Sequence, residues 1–144
     1  MKARVGFMAL AVWLLAAGVS RAERLAVTAP KANVRGGPGA EHAMIWQAEQ
    51  YYPVKVIERK GPWCLFEDYE GDRGWLHQSL LGKIETVVTV KDASNLRAGP
   101  ATTHPVVLVV DAGVPFKVLE RQGAWLRVQH RDGEIAWIAK SLVW

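Results

Sequence analysis

Asn33-Val34-Arg35-Gly36-Gly37-Pro38 and Asn95-Leu96-Arg97-Ala98-Gly99-Pro100 are one motif written twice, 62 residues apart. Outward from that pair the offset holds without a gap. Pro53, Lys55, Val56, Glu58, Arg59, Gly61 and Trp63 recur as Pro115, Lys117, Val118, Glu120, Arg121, Gly123 and Trp125. Gly71, Trp75, Ser79 and Leu80 recur as Gly133, Trp137, Ser141 and Leu142. Solenoid units recur every ~20–50 residues and cannot stand alone. This period is longer, and each copy carries its own turns, apolar runs and aromatics. The repeat predicts two copies of one small domain, over residues 23–82 and 83–144.

Each copy reads as short β segments between turn residues, with no helical periodicity. The first offers Leu25–Thr28, Ala32–Arg35, Met44–Ala48, Tyr52–Arg59, Trp63–Asp68 and Arg73–His77. The second offers Val87–Val90, Asn95–Arg97, Val106–Val110, Pro115–Arg121, Trp125–His130 and Glu134–Ala139. Such runs, punctuated by Gly, Pro and Asp, predict an all-β fold of small barrels or sandwiches. Successive strand side chains alternate faces, so Cys64, Phe66, Leu126 and Val128 point inward and Trp63 and Trp125 point away. Leu76 and Ile138 likewise enter the core, with Trp75 and Trp137 outside. Glu70-Gly71 and Asp132-Gly133 supply hairpin turns in which glycine takes the positive φ. Ser79-Leu80-Leu81 and Ser141-Leu142-Val143 read as closing 3₁₀ turns, and Gly82–Thr86 as a short linker that leaves the copies touching.

Ahead of the repeat, Met1-Lys2-Ala3-Arg4 precedes an apolar run from Val5 to Val19 and then Ser20-Arg21-Ala22. A basic start, an apolar stretch and small residues before a cut after Ala22 predict a signal peptide over residues 1–22. The competing reading is an uncleaved anchor, but the run is shorter than the ~18–20 residues that span a bilayer. After cleavage no membrane insertion is expected, and the setting is the periplasm or cell envelope. The formal charge of +4 is then misleading, because Lys2, Arg4 and Arg21 leave and 18 basic residues fall to 15 against 14 acidic. Nucleic-acid binding needs clustered cations, and none cluster here. Cys64 is the single cysteine, so no intrachain disulfide can form, and its strand parity makes it a core thiol.

The ordered set of motifs resembles a bacterial SH3 domain, in tandem. The residues are Asn33 to Gly39, Pro53 to Glu58, Gly61-Pro62-Trp63, Glu70-Gly71-Asp72, Gly74-Trp75-Leu76 and Ser79-Leu80-Leu81, with Asn95 through Val143 repeating them. The resemblance spans nearly all of residues 23–144. It implies two five-stranded, strongly bent β-barrels of an exported or envelope protein, working as non-catalytic binding modules, some of which direct cell-wall hydrolases to peptidoglycan. The copies differ from each other at telling places. Ala136 replaces Gly74, Ala98 replaces Gly36, and Tyr51-Tyr52 stands where the second copy has Gly113-Val114. No peptidase or amidase segment is expected within these residues.

Little chemistry is expected. His42 and His104 are equivalent, but each copy offers one such histidine where zinc needs three or four ligands, so packing is the reading and no metal or cofactor is expected. His77 and His130 read as strand-end surface groups. Asp68, Glu70 and Asp72 read as a solvated turn. Cys64 faces inward and lacks the exposure a thiolate nucleophile needs. Arg35-Gly36-Gly37-Pro38-Gly39 lacks the lysine and hydroxyl of a phosphate loop. The candidate ligand-binding residues are Trp63, Trp75, Trp125, Trp137, Arg35 and Arg97. Outward indoles offer large area at low entropic cost, and in the resembling family equivalent aromatics line a groove for extended peptide. The competing roles are packing for the tryptophans and, for the arginines, bracing the turn against Glu58 or Glu120. Asn33 and Asn95 are expected to satisfy loop backbone. Trp46 belongs to the first core, and Trp144 packs on either copy. The expected partner is a protein segment or a cell-wall peptide; the alternative is a rigid interaction protein with one dedicated partner and no open groove.

Overall fold

The computed structural model describes residues 22–144. The expected signal segment lies outside them, apart from Ala22. No helix among the described residues is long and apolar enough to cross a membrane.

The chain is all-β and forms two antiparallel sheets. The first contains β1 (Glu23–Val27), β2 (Lys31–Arg35), β3 (Met44–Glu49), β4 (Pro53–Lys60), β5 (Trp63–Glu67), β6 (Arg73–His77) and the two-residue β7 (Leu81–Gly82). Its strand order is β3-β2-β6-β5-β4-β1-β7. The second contains β8 (Thr86–Val88), β9 (Ser94–Arg97), β10 (Val106–Val110), β11 (Pro115–Gln122), β12 (Trp125–Gln129) and β13 (Ile135–Ala139), ordered β10-β9-β13-β12-β11-β8. The 3₁₀ turns Gln78–Leu80 and Lys140–Leu142 close the two copies. β4, β5 and β6 map onto β11, β12 and β13 at the sequence offset, end for end. Register shifts at Val56/Glu58 and Val118/Glu120 also coincide. Such bulges bend a strand, which lets one sheet curl around its own core.

Strand alternation sets what is inside. Val34, Val54, Cys64, Phe66 and Leu76 build the first core, and Leu96, Phe116, Leu126, Val128 and Ile138 the second. Gly71 (φ +84°) and Gly133 (φ +101°) occupy the left-handed region in the β5–β6 and β12–β13 turns, as that turn chemistry demands. The β3–β4 turn is less tidy. Gly113 takes φ +91° in the second copy, and Tyr51 takes φ +77° at the same place in the first. A side chain in that region costs ~1–2 kcal/mol.

The expected linker is shorter than Gly82–Thr86, because Leu81 and Gly82 pair with β1 and Thr86 opens β8. β8 is buried on both faces: Val87 enters the second core and Val88 the first. Val143 bridges to Thr89, and Trp144 exchanges two backbone hydrogen bonds with Val88 while its indole packs on the first core. Arg24 donates to the Thr86 carbonyl (3.1 Å) and its guanidinium sits 4.1 Å from the Trp144 ring centre. Arg131 pairs with Glu49 at 3.1 Å across the same seam. The copies share structure.

Candidate functional site

β2, β3, β5 and β6 bring Asn33, Arg35, Gln47, Trp63 and His77 around one open cleft of about 610 Å³, with Lys31 at its margin. Asn33 and Gln47 are register partners, and Gln47 Nε2 donates to Asn33 Oδ1 at 2.8 Å. Asn33 therefore works across the strands and not on the loop backbone as expected. Trp63 stands opposite His77, their rings edge-on at 5.2 Å. Ser79 N donates to His77 Nδ1 at 3.2 Å, so the neutral ring carries its proton on Nε2. His77 is thus more than a surface group: it caps the 3₁₀ turn and fixes the Trp63 plane. Among the described residues no carboxylate lines the cleft, and Lys31 and Arg35 give it positive character.

The arginines do brace the turn, but through main-chain oxygens. Arg35 donates to the His42 carbonyl (2.9 Å), and Arg97 to the Thr102 and His104 carbonyls (3.1 and 3.0 Å). Glu120 instead approaches Arg127, and Glu58 approaches Lys60. Only one Arg35 bond is to the protein among the described residues, which leaves guanidinium donors for a ligand. His42 and His104 lie over the glycines of that turn: a Cβ on Gly37 would fall 2.5 Å from His42 Nδ1, and one on Gly99 2.6 Å from the His104 ring.

Trp63, Trp75, Trp125 and Trp137 all take the outward parity and are half-buried. They are not equivalent. Trp75 pairs in register with Leu65 and Arg35, and Trp137 with Arg127 and Arg97, outside the cleft lining. Trp125 stands opposite Ala139, where Trp63 has His77. Asn95 stands opposite Val109, where Asn33 has Gln47, and Lys31 becomes Ala93. The second copy has thus exchanged the polar fittings of this cleft for aliphatic ones. Val107 and Val109 are among its exposed side chains.

Elsewhere the titratable groups serve the fold. Asp68 is buried, not solvated as expected: Oδ1 accepts from Glu70 N and Asp72 N (3.0 Å each), and Oδ2 from the Tyr52 hydroxyl (2.9 Å). Burial, then the Asp68 bond and charge, push the Tyr52 hydroxyl far above the usual phenol range. At the equivalent turn His130, Asp132 and Glu134 converge, and His130 rests near Phe116 at 5.6 Å. Burial raises the Cys64 thiol, and its sulfur meets Arg59 at 3.5 Å.

Comparison with known proteins places these features. Residues 28–83 and 90–144 each match the bacterial SH3 domain. YrvJ of Bacillus subtilis, named as an N-acetylmuramoyl-L-alanine amidase, is 22% identical over 122 residues, covering 77% of this chain and 23% of YrvJ. LytH of Staphylococcus epidermidis, named as a cell wall amidase, is 36% identical over 53 residues, or 36% of this chain and 18% of LytH. The chain thus spans less than a quarter of the length of these relatives. Among solved structures, an NlpC/P60 family protein from Bacillus cereus aligns at TM-score 0.42 and 16% identity, covering 85% of this chain and 56% of that one. NlpC1 from Trichomonas vaginalis aligns at TM-score 0.40 and 14% identity, covering 88% and 46%. Two sheets, two cores and two family matches at the sequence offset lead to one conclusion: this chain belongs to the bacterial SH3 domain family, in tandem.

Proposed function

We propose that the protein is an exported, non-catalytic binding module of the cell envelope that holds an extended, carboxylate-bearing peptide, such as a peptidoglycan stem peptide or a partner segment, in the Trp63 cleft. The observation that carries this reading is the asymmetry between copies. Only the first keeps Lys31, Gln47 and His77 around its tryptophan, and the cleft presents two cations with no lining carboxylate among the described residues. Trp63 supplies the apolar surface, Arg35 and Lys31 the charge, and the Asn33–Gln47 pair amide groups for a peptide backbone. The relatives named as amidases support a cell-wall setting, with this chain as a module beside such enzymes.

Covering one face of Trp63, ~100 Å² at ~25 cal/mol/Å², contributes about 2–3 kcal/mol. Trp63→Ala is therefore expected to weaken binding of purified muropeptides or sacculi by roughly 30- to 150-fold. Tryptophan-fluorescence titration and sacculus sedimentation measure it. Unchanged retention on sacculi together with a flat titration by muropeptides retires the wall version. The alternative of a rigid protein with one dedicated partner is favoured by the shared seam. Crosslinking in envelope extract that yields a single stoichiometric partner, undiminished by Trp63→Ala, selects it.

A further inference from the structure

We propose that the seam between the copies is a second ligand site, for the free carboxylate of a peptide that ends in an apolar residue. It is separate from the Trp63 cleft and does not depend on it. The seam opens as a cleft of about 570 Å³ to which both copies contribute. Four cations line it, Arg24, Lys83, Arg121 and Lys140, against one carboxylate, Glu85. Glu85 is already engaged by Arg121, and Lys83 reaches Glu23 at 3.7 Å. Arg24 and Lys140 enter none of the ion pairs among the described residues.

Arg24 is the more telling of the two. Its guanidinium is partly buried, with one hydrogen bond, to the Thr86 carbonyl, and one aromatic face beneath it, Trp144. Burial holds it below the usual arginine range. Arg24 as a whole residue is exposed, so its remaining guanidinium donors stay open to an incoming acceptor, with no carboxylate paired to them among the described residues. Thr86 lines the same cleft, is 2% exposed, and its hydroxyl is the buried side-chain polar atom left without a partner among the described residues. The Thr86 hydroxyl is sealed from the cleft, so the carboxylate is met by the Arg24 guanidinium and the Lys140 ammonium that line it. Leu126, Val143 and Trp144 supply an apolar wall for the adjoining side chain. Capture of a chain-terminal carboxylate is an established mode of peptide recognition.

The test is a titration followed by two-dimensional NMR, using N-acetyl-Ala-Leu with a free carboxylate, its C-terminal amide, and inorganic phosphate. The carboxylate peptide is expected to shift the Thr86 and Val87 amides and the Trp144 indole, and the amide to leave them in place. Lys140→Gln, an exposed change outside any ion pair, is expected to weaken binding several-fold, and Arg24→Gln by about tenfold or more. Lys140→Gln keeps the test decisive if Arg24→Gln disturbs the seam. Equal shifts from the amide, equal affinity for phosphate, or no shift at millimolar peptide each overturn the proposal. Shifts confined to Trp63 and His77 overturn it too, while leaving the first cleft intact.

Discussion

Gly74 sits where the second copy has Ala136, and replacing it with alanine tests how this fold tolerates its own duplicate. A Cβ at Gly74 would lie 2.3 Å from Val34 Cγ1 and 3.5 Å from two Phe66 ring carbons. Carbon atoms prefer about 3.5–4.0 Å, so the first contact overlaps by more than about 1 Å. Val34 and Phe66 are both 0% exposed, so neither has room to retreat. Overpacking of this kind costs ~1–3 kcal/mol, while removing a strand glycine returns ~0.5–1 kcal/mol. The clash is the larger of the two, and the net loss is about 0–2.5 kcal/mol. The second copy accommodates Ala136 beside Leu96, the counterpart of Val34, and leucine branches one carbon farther from the backbone. Val34→Leu added to Gly74→Ala should therefore recover most of the loss, a coupling of about 1 kcal/mol. Thermal unfolding reads the single change as a fall of several degrees, at ~4–8 °C per kcal/mol for a domain of this size. Cys64, buried in the first core, gives a local readout, since thiol labelling reports opening of that copy. A Gly74→Ala protein more stable than its parent, or a double variant no better than the single, would refute the argument.

Two further outcomes follow from the first copy. Tyr52→Phe leaves Asp68 Oδ2 without its donor in a buried site and should cost about 1–3 kcal/mol at neutral pH. Because the folded-state value of Tyr52 is raised, its contribution is complete below the unfolded phenol value of ~10 and falls as pH rises beyond it; denaturant midpoints in alkali should decline less steeply in Tyr52→Phe than in the parent. Tyr51→Gly relieves a left-handed tyrosine but adds glycine's entropy, so a net gain of up to about 1 kcal/mol is expected in urea titration. A loss there would mean that the ring's packing outweighs the backbone term.

The period, the outward parity of the tryptophans and the core identity of Cys64, Phe66, Leu126 and Val128 were legible because they depend on local alternation and repetition. What escaped depends on partners distant in sequence. Asn33 meets Gln47 only through the β2–β3 register, and the Tyr52–Asp68 bond spans two strands. A signal for the latter did exist: Tyr52 and Asp68 change together, to Val114 and His130, between the copies. Arg35 and Arg97, candidate ligand residues with turn bracing as the competing role, meet main-chain carbonyls and not Glu58 or Glu120, and a carbonyl leaves no trace in composition. β8, with a core on each side, looks like any short β-branched run.

That doubly enclosed strand makes the tandem a fixed gauge. A flexible tether would let each half sample its own orientation, with avidity set by tether length. Here Val88 is inserted into one half while its own chain belongs to the other, and Trp144 is fastened to both. Ligands held at the proposed Trp63 cleft and the proposed seam site would stand at one spacing dictated by the seam, and a scaffold would then be selected by distance as well as by chemistry. Severing the halves at Lys83 would strip a wall from the first core as well as abolish that discrimination.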